Sequence, residues 1–188
     1  MANTPSADNP AAASAAAQAA VLAQRIEAAF STVAQTSMRD MPMNNPRLQV
    51  AAVGFRAWQS SWIGALITPW SIDLLQLPMP NAPFPPARAD DIIEVALPGA
   101  VIPFMPAHME PLGAYRLCSL FSPAQQFADQ ATAIATAQET LRLLFEPDKS
   151  GKTAGKSGTM PSSPPPSPSP SSPDVPNPSR RRLFGLRS

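Results

Sequence analysis

One cysteine, one histidine and one small cluster of carboxylates are the side chains of this sequence best suited to chemistry, and their spacing limits what they can do. His108 stands two residues before Glu110 in a proline-rich stretch. Such a pair could hold a metal, but a protein zinc site wants three or four ligands, and neither a second histidine nor a CxxC supplies them. Cys118 follows Leu117 in an apolar run and reads as a small buried hydrophobe. The competing reading makes Cys118 a nucleophile activated by His108, since the two flank one loop. Burial on an apolar strand would work against it by raising the thiol pKa. Asp90, Asp91 and Glu94 form the carboxylate cluster, which reads as a solvated loop edge. Neither a GxGxxG nor a GxxxxGK phosphate loop is present. These patterns point away from an enzyme.

Binding is the remaining option, and composition bounds it. Residues 1–145 hold all three tryptophans and seven of the eight phenylalanines, enough for one domain with its own core. This part carries seven basic and ten acidic side chains; residues 146–188 carry seven basic and three acidic ones. A mildly acidic domain with a basic tail offers nucleic acid no obvious docking face. A single cysteine excludes an internal disulfide. The N-terminus lacks a basic stretch followed by an apolar one, and no apolar run approaches the ~20 residues of a membrane span, so a cytoplasmic, non-membrane protein is expected.

The elements that would position these residues can be read from periodicity and turn signals. Leu22, Ile26, Phe30 and Val33 form one stripe of a helix over residues 14–38, stopped by the Pro-Asn segment Met41–Pro46. Leu48–Trp58 reads as a strand, and its change of apolar parity at Gly54 predicts a bulge. Gln59-Ser60-Ser61 then turns it into a second strand, Trp62–Thr68. Residues 70–77 are an extended or short helical piece, and residues 78–89, with five prolines, are a surface loop. Ile92–Leu97 and Ala100–Phe104 pair across Pro98-Gly99; after a loop holding Pro106 and Pro111, Ala114–Phe121 is a further strand. Ser122-Pro123-Ala124-Gln125 has a capping-box pattern and predicts a helix from there to about residue 145, with Phe127, Ala131, Ile134, Leu141, Leu144 and Phe145 on one face. The sum is an α+β domain over residues 14–146, in which an N-terminal and a C-terminal helix pack on one face of an antiparallel sheet of about five strands. Residues 1–13 and the Pro/Ser-rich tail 147–188 are expected to be disordered.

Methionines at 38, 41, 43, 79, 105 and 109 fall in turns and loops, where adaptable thioethers suit an irregular apolar partner or plug gaps in a core of short strands. Trp70 is either a partner anchor or core.

Taken in order, several segments resemble the HybE family of [NiFe]-hydrogenase assembly chaperones: Asn45–Val50 with Ala52–Arg56, Gly64–Trp70 with Leu74–Pro78, Leu97–Gly99, Leu112–Tyr115, and Cys118–Pro123 leading to Phe127 and Ala128. The resemblance spans about residues 22–145. It implies a maturation factor that binds the hydrogenase small-subunit precursor with its twin-arginine signal peptide, the large subunit being a second candidate client, and that delays export until cofactors are installed. Some relatives are fused to or work beside a rubredoxin; one cysteine cannot form a four-thiolate iron site, so that role would belong to a separate protein. The resemblance brings no catalytic residues and no cofactor. The partner-binding candidates are Phe55, Arg56, Thr68, Pro69, Trp70, Asp73, Pro98 and Phe121. Asp73, Asp90, Asp91 and Glu94 are the candidates for meeting signal-peptide arginines.

The tail adds a motif. Ser179-Arg180-Arg181-Arg182-Leu183-Phe184 looks like a twin-arginine core with its last two residues exchanged, but no apolar region follows. It reads either as a mimic of the client's signal, tethered at high effective concentration, or as a solubilising basic end. The alternative to the chaperone reading is an interaction module of another pathway, whose Pro-rich tail serves SH3-like partners.

Overall fold

The computed structural model describes residues 10–146. The expectations for residues 1–9 and for the tail, including Ser179, Arg180, Arg181, Leu183 and Phe184, lie outside the described residues. The order of elements is α1 (Pro10–Gln35), β1 (Ala51–Trp58), β2 (Ser61–Ile67), β3 (Ile72–Pro78), β4 (Ile93–Ala96), β5 (Val101–Met109), β6 (Gly113–Phe121) and α2 (Gln130–Phe145). The six strands form one sheet in the order β1-β2-β3-β6-β5-β4, antiparallel at every pairing.

The piece that the sequence leaves open, residues 70–77, supplies the central strand β3, joined to β2 by the turn at Pro69 and Trp70. Apolar residues occupy both of its faces: Ile72 and Leu74 on one, Leu75 and Leu77 on the other, all buried. Strand β2 is buried along its whole length. Strands apolar on both sides need cover on both sides, and this decides where the helices go. Ile63, Ala65, Ile67 and Leu74 pack with Ala133, Ala137 and Leu141 of α2, whereas Leu66, Leu75, Leu77 and Tyr115 pack with Ile26 of α1. The helices therefore lie on opposite faces, not on one. Each fully buried aliphatic side chain in these two cores contributes about 1.5–3 kcal/mol.

The expected bulge is present: the β1–β2 register shifts between Val53 and Arg56, and Gly54 adopts a φ of 64°, open to glycine at little cost. Gly64 serves close packing, since a Cβ there would stand 2.5 Å from the Phe55 ring. Two expectations need correction. α2 starts at Gln130, seven residues after Pro123, and its N-cap is Asp129, whose side chain accepts from Thr132 N at 2.7 Å. The Ser122–Gln125 stretch is instead held as a loop, because Asn45 takes up two of the backbone carbonyls that a helix would need. And β5 runs through Pro106 to Met109, so the expected loop shrinks to a turn at residues 110–112.

Candidate functional site

Three loop segments meet at one end of β2, β3 and β6, and Asn45 joins them. The amide of Asn45 donates to Ala124 O at 3.0 Å and Phe127 O at 2.8 Å, and its backbone N–H donates to Pro69 O at 2.7 Å. Its side-chain oxygen accepts from Arg47 N at 3.0 Å. Ala124 N in turn donates to Trp70 O at 3.1 Å. Asn45 opens one of the segments that carry the resemblance, but its role shows only in this buried geometry.

The turn itself is closed by buried Thr68. Its backbone N–H donates to Ser71 O at 2.8 Å, and its hydroxyl accepts from Ser71 N at 2.9 Å. Ser71 Oγ donates to Asp73 Oδ2 at 2.6 Å. Phe121 stacks edge-on against Phe127 at 5.2 Å, closing the cluster from the β6 side. Five of the candidates, Thr68, Pro69, Trp70, Asp73 and Phe121, thus belong to one constellation.

The other three do not. The Phe55 ring packs under Gly64, on the α1 side. Arg56 lies 4.6 Å over the Phe145 ring at the C-terminal end of α2. Pro98 sits in the β4–β5 turn, whose Gly99 N donates to Leu144 O at 2.9 Å.

Asp73 is the chemically distinctive member. It pairs with Ser119 across β3–β6, on the face that α1 covers only in part. Burial pushes its carboxyl above the usual carboxylate range, although Ser71 and Ser119 hydrogen-bond to it and pull the other way. Among the described residues no basic side chain forms an ion pair with it. The same face continues across β6 and β5 to Met105, paired with Leu117, and along β5 to Val101; Met105 is 46% and Val101 58% exposed. Met41 and Met43, also exposed, lie on the segment leading into Asn45. The arrangement is a desolvated carboxylate that shares a sheet face with exposed apolar residues two strands away.

The remaining carboxylates stand elsewhere. Asp91 Oδ2 accepts from Arg88 N at 2.8 Å, Arg88 and Asp90 form an exposed pair at 3.8 Å, and Glu94 is exposed on the edge strand β4. The Cys118–His108 nucleophilic pair does not form. Cys118 aligns with Leu74 on one side, and His108 with Ala114, so four strand residues separate them, about 13 Å at ~3.3 Å each. Burial raises the Cys118 thiol pKa, as does Asp73 nearby. His108 Nε2 lies 3.8 Å from Glu110 on the surface, and no group of three or more potential metal ligands occurs among the described residues. Nor is any described helix long and apolar enough to cross a membrane.

Fold and site together define a class: an α+β domain on one antiparallel sheet, a helix on each face, with a carboxylate set into an apolar patch. The sequence model of the family described as "[NiFe]-hydrogenase assembly, chaperone, HybE" matches residues 21–186, beyond the segments quoted above for the resemblance. The chain belongs to this HybE family of [NiFe]-hydrogenase assembly chaperones. It is 35% identical over 121 residues to the hydrogenase expression/formation protein HupJ of Bradyrhizobium diazoefficiens, covering 64% of this chain and 70% of that one. It is 29% identical over 124 residues to the probable rubredoxin HupJ of Rhodobacter capsulatus, covering 66% of this chain but only 45% of that one. The solution structure of HybE from Escherichia coli shares the fold, with a TM-score of 0.53 at 23% identity over 72% of this chain and 85% of that one.

Proposed function

We propose that this protein acts in the cytoplasm by holding a hydrogenase small-subunit precursor through its twin-arginine signal peptide, delaying export until maturation is complete. The observation that carries the reading is Asp73, a desolvated carboxylate with no basic partner among the described residues, on the same sheet face as exposed Met105 and Val101 two strands away. A signal peptide presents adjacent arginines and then an apolar stretch. A guanidinium offers the planar donors that a carboxylate accepts best, and flexible methionine adapts to irregular apolar chains. The large subunit is a further client, and any electron transfer falls to a separate rubredoxin. Holding of this kind makes and breaks no bond, so no catalytic residue is assigned.

Titration of the full chain with a synthetic twin-arginine signal peptide tests the reading. Asp73→Asn should weaken binding about tenfold, the scale of one charged hydrogen-bonded contact. Unchanged affinity in a folded Asp73→Asn variant would refute the assignment. The tail enters as a competitor: Arg180 and Arg181 would occupy the same site in the absence of client. Deleting residues 179–188 should then raise the affinity for the signal peptide, and an unaltered value would remove self-occupancy.

A further inference from the structure

Arg116 projects from β6 on the sheet face opposite Asp73, and its surroundings are built to hold a guanidinium without neutralising it. The group lies 3.9 Å over the Phe84 ring, and Nη1 donates to Gln76 Oε1 at 3.2 Å. Gln76 Nε2 donates to Ser61 Oγ at 3.0 Å, and that hydroxyl donates to Trp58 O at 2.9 Å. The side chain is therefore fixed by a stack on one side and a hydrogen-bond relay on the other. Yet among the described residues no carboxylate forms an ion pair with it. Desolvation already lowers its pKa, the mark of a cation partly withdrawn from water without compensation.

Two cavities meet at this stack. One, of about 350 Å³, is walled by Pro85, Pro86, Pro106 and Tyr115 and is largely apolar. The other, of about 310 Å³, continues past Phe84 and Arg116 toward Ser60, Ser61 and Gln76 and is more polar. Glu94 borders the second cavity but makes no ion pair with Arg116. The Pro-rich segment that reads as a plain surface loop is thus one wall of an elongated cleft, with a positive charge midway along it.

We propose that this cleft is a second polypeptide site, opposite in charge to the Asp73 site, which takes an extended client segment with a glutamate or aspartate in its interior. The occupant is a peptide because the clients of an assembly chaperone are polypeptides. The carboxylate is internal because cavity space extends on both sides of Arg116, so a chain can pass it in either direction. Apolar side chains of the segment lie against the proline wall, and the carboxylate accepts from the guanidinium edge that Gln76 leaves free. The proposal rests on family membership and not on the Asp73 assignment, so either site can fail alone.

The test uses the full chain and two fluorescein-labelled peptides, Ala-Pro-Leu-Val-Glu-Leu-Pro-Ala and its counterpart with glutamine for glutamate, read by anisotropy. The glutamate peptide should bind about tenfold more tightly, as one charge-assisted contact supplies. Arg116→Gln should abolish the difference, and Arg116→Lys, which keeps the charge but loses the fork and the stack, should retain part of it. In the unmodified protein, salt at about 1 M, where the screening length is about 3 Å, should shrink the preference. This last measurement needs no variant to fold. Equal binding of the two peptides, no binding of either, or a preference that survives in folded Arg116→Gln would overturn the proposal.

Discussion

The Asp73 carboxyl is raised by burial and held by two serines, so it is stabilised in place while its charge is penalised. Its sign in stability follows from linkage. The folded pKa lies above the ordinary 3.8, so between the two values the native state binds more protons than the unfolded chain. Stability must then fall as pH rises through that window and stay reduced above it. Asp73→Asn removes the penalty. The variant should melt at or above the parent temperature at pH 7, with the gap closing below pH ~4 as both carboxyl states protonate. A lower melting temperature at pH 7 would mean the serine contacts outweigh desolvation. Asn45 behaves in the opposite way, since its hydrogen bonds hold three loop segments together. Asn45→Ala removes the side-chain donor of the Phe127 carbonyl and leaves Ala124 O with only the longer contact from Phe127 N at 3.4 Å, which should cost about 1–3 kcal/mol in urea denaturation. His108 is exposed, 3.8 Å from Glu110 and on the rim of the Pro-rich cavity, where it makes no nucleophilic pair with Cys118, so His108→Ala should leave hydrogenase maturation intact in cells.

At the scale of elements, the start of α2 separates local signal from tertiary outcome. Ser122-Pro123-Ala124-Gln125 has the residues of a capping box, yet Asp129 is the cap. Asp129→Ala should destabilise the fold by about 1 kcal/mol, whereas Gln125→Ala, an exposed site, should stay within ~0.5 kcal/mol; equal effects would place the helix start wrongly. The local pattern loses because Asn45, 79 and 82 residues away from the carbonyls it binds, keeps that backbone out of the helix. Strands were more legible: apolar runs bounded by Pro69, Pro98-Gly99 and Gly113 located five of the six, and Gly54 the bulge. β3 stayed ambiguous because it is apolar on both faces and so lacks a period of two. That same lack of alternation in β2 and β3 was the sign that cover is needed on both sides, hence a helix on each. Of the site, Thr68, Pro69, Trp70 and Phe121 fall in segments that carry the resemblance and Asp73 is one of four candidate carboxylates, but their convergence could not be read. Neither could the Phe84–Arg116 stack, which joins a proline-rich loop to a strand 32 positions later.

At the scale of the whole molecule, two charges of opposite sign, neither ion-paired among the described residues, lie on opposite faces of one sheet. Asp73 lies on the sheet face that carries α1; Arg116 lies on the other, against the Pro-rich segment. A holding protein gains from such separation, because two segments of a client can be gripped without competing, and tethering the second raises its effective concentration. The decisive measurement is retention of a purified hydrogenase small-subunit precursor by the purified full chain, with and without the signal peptide. A stable complex is expected with the intact precursor and a much weaker one once the signal is removed. No retention of the intact precursor, or equal retention with and without its signal, would contradict it.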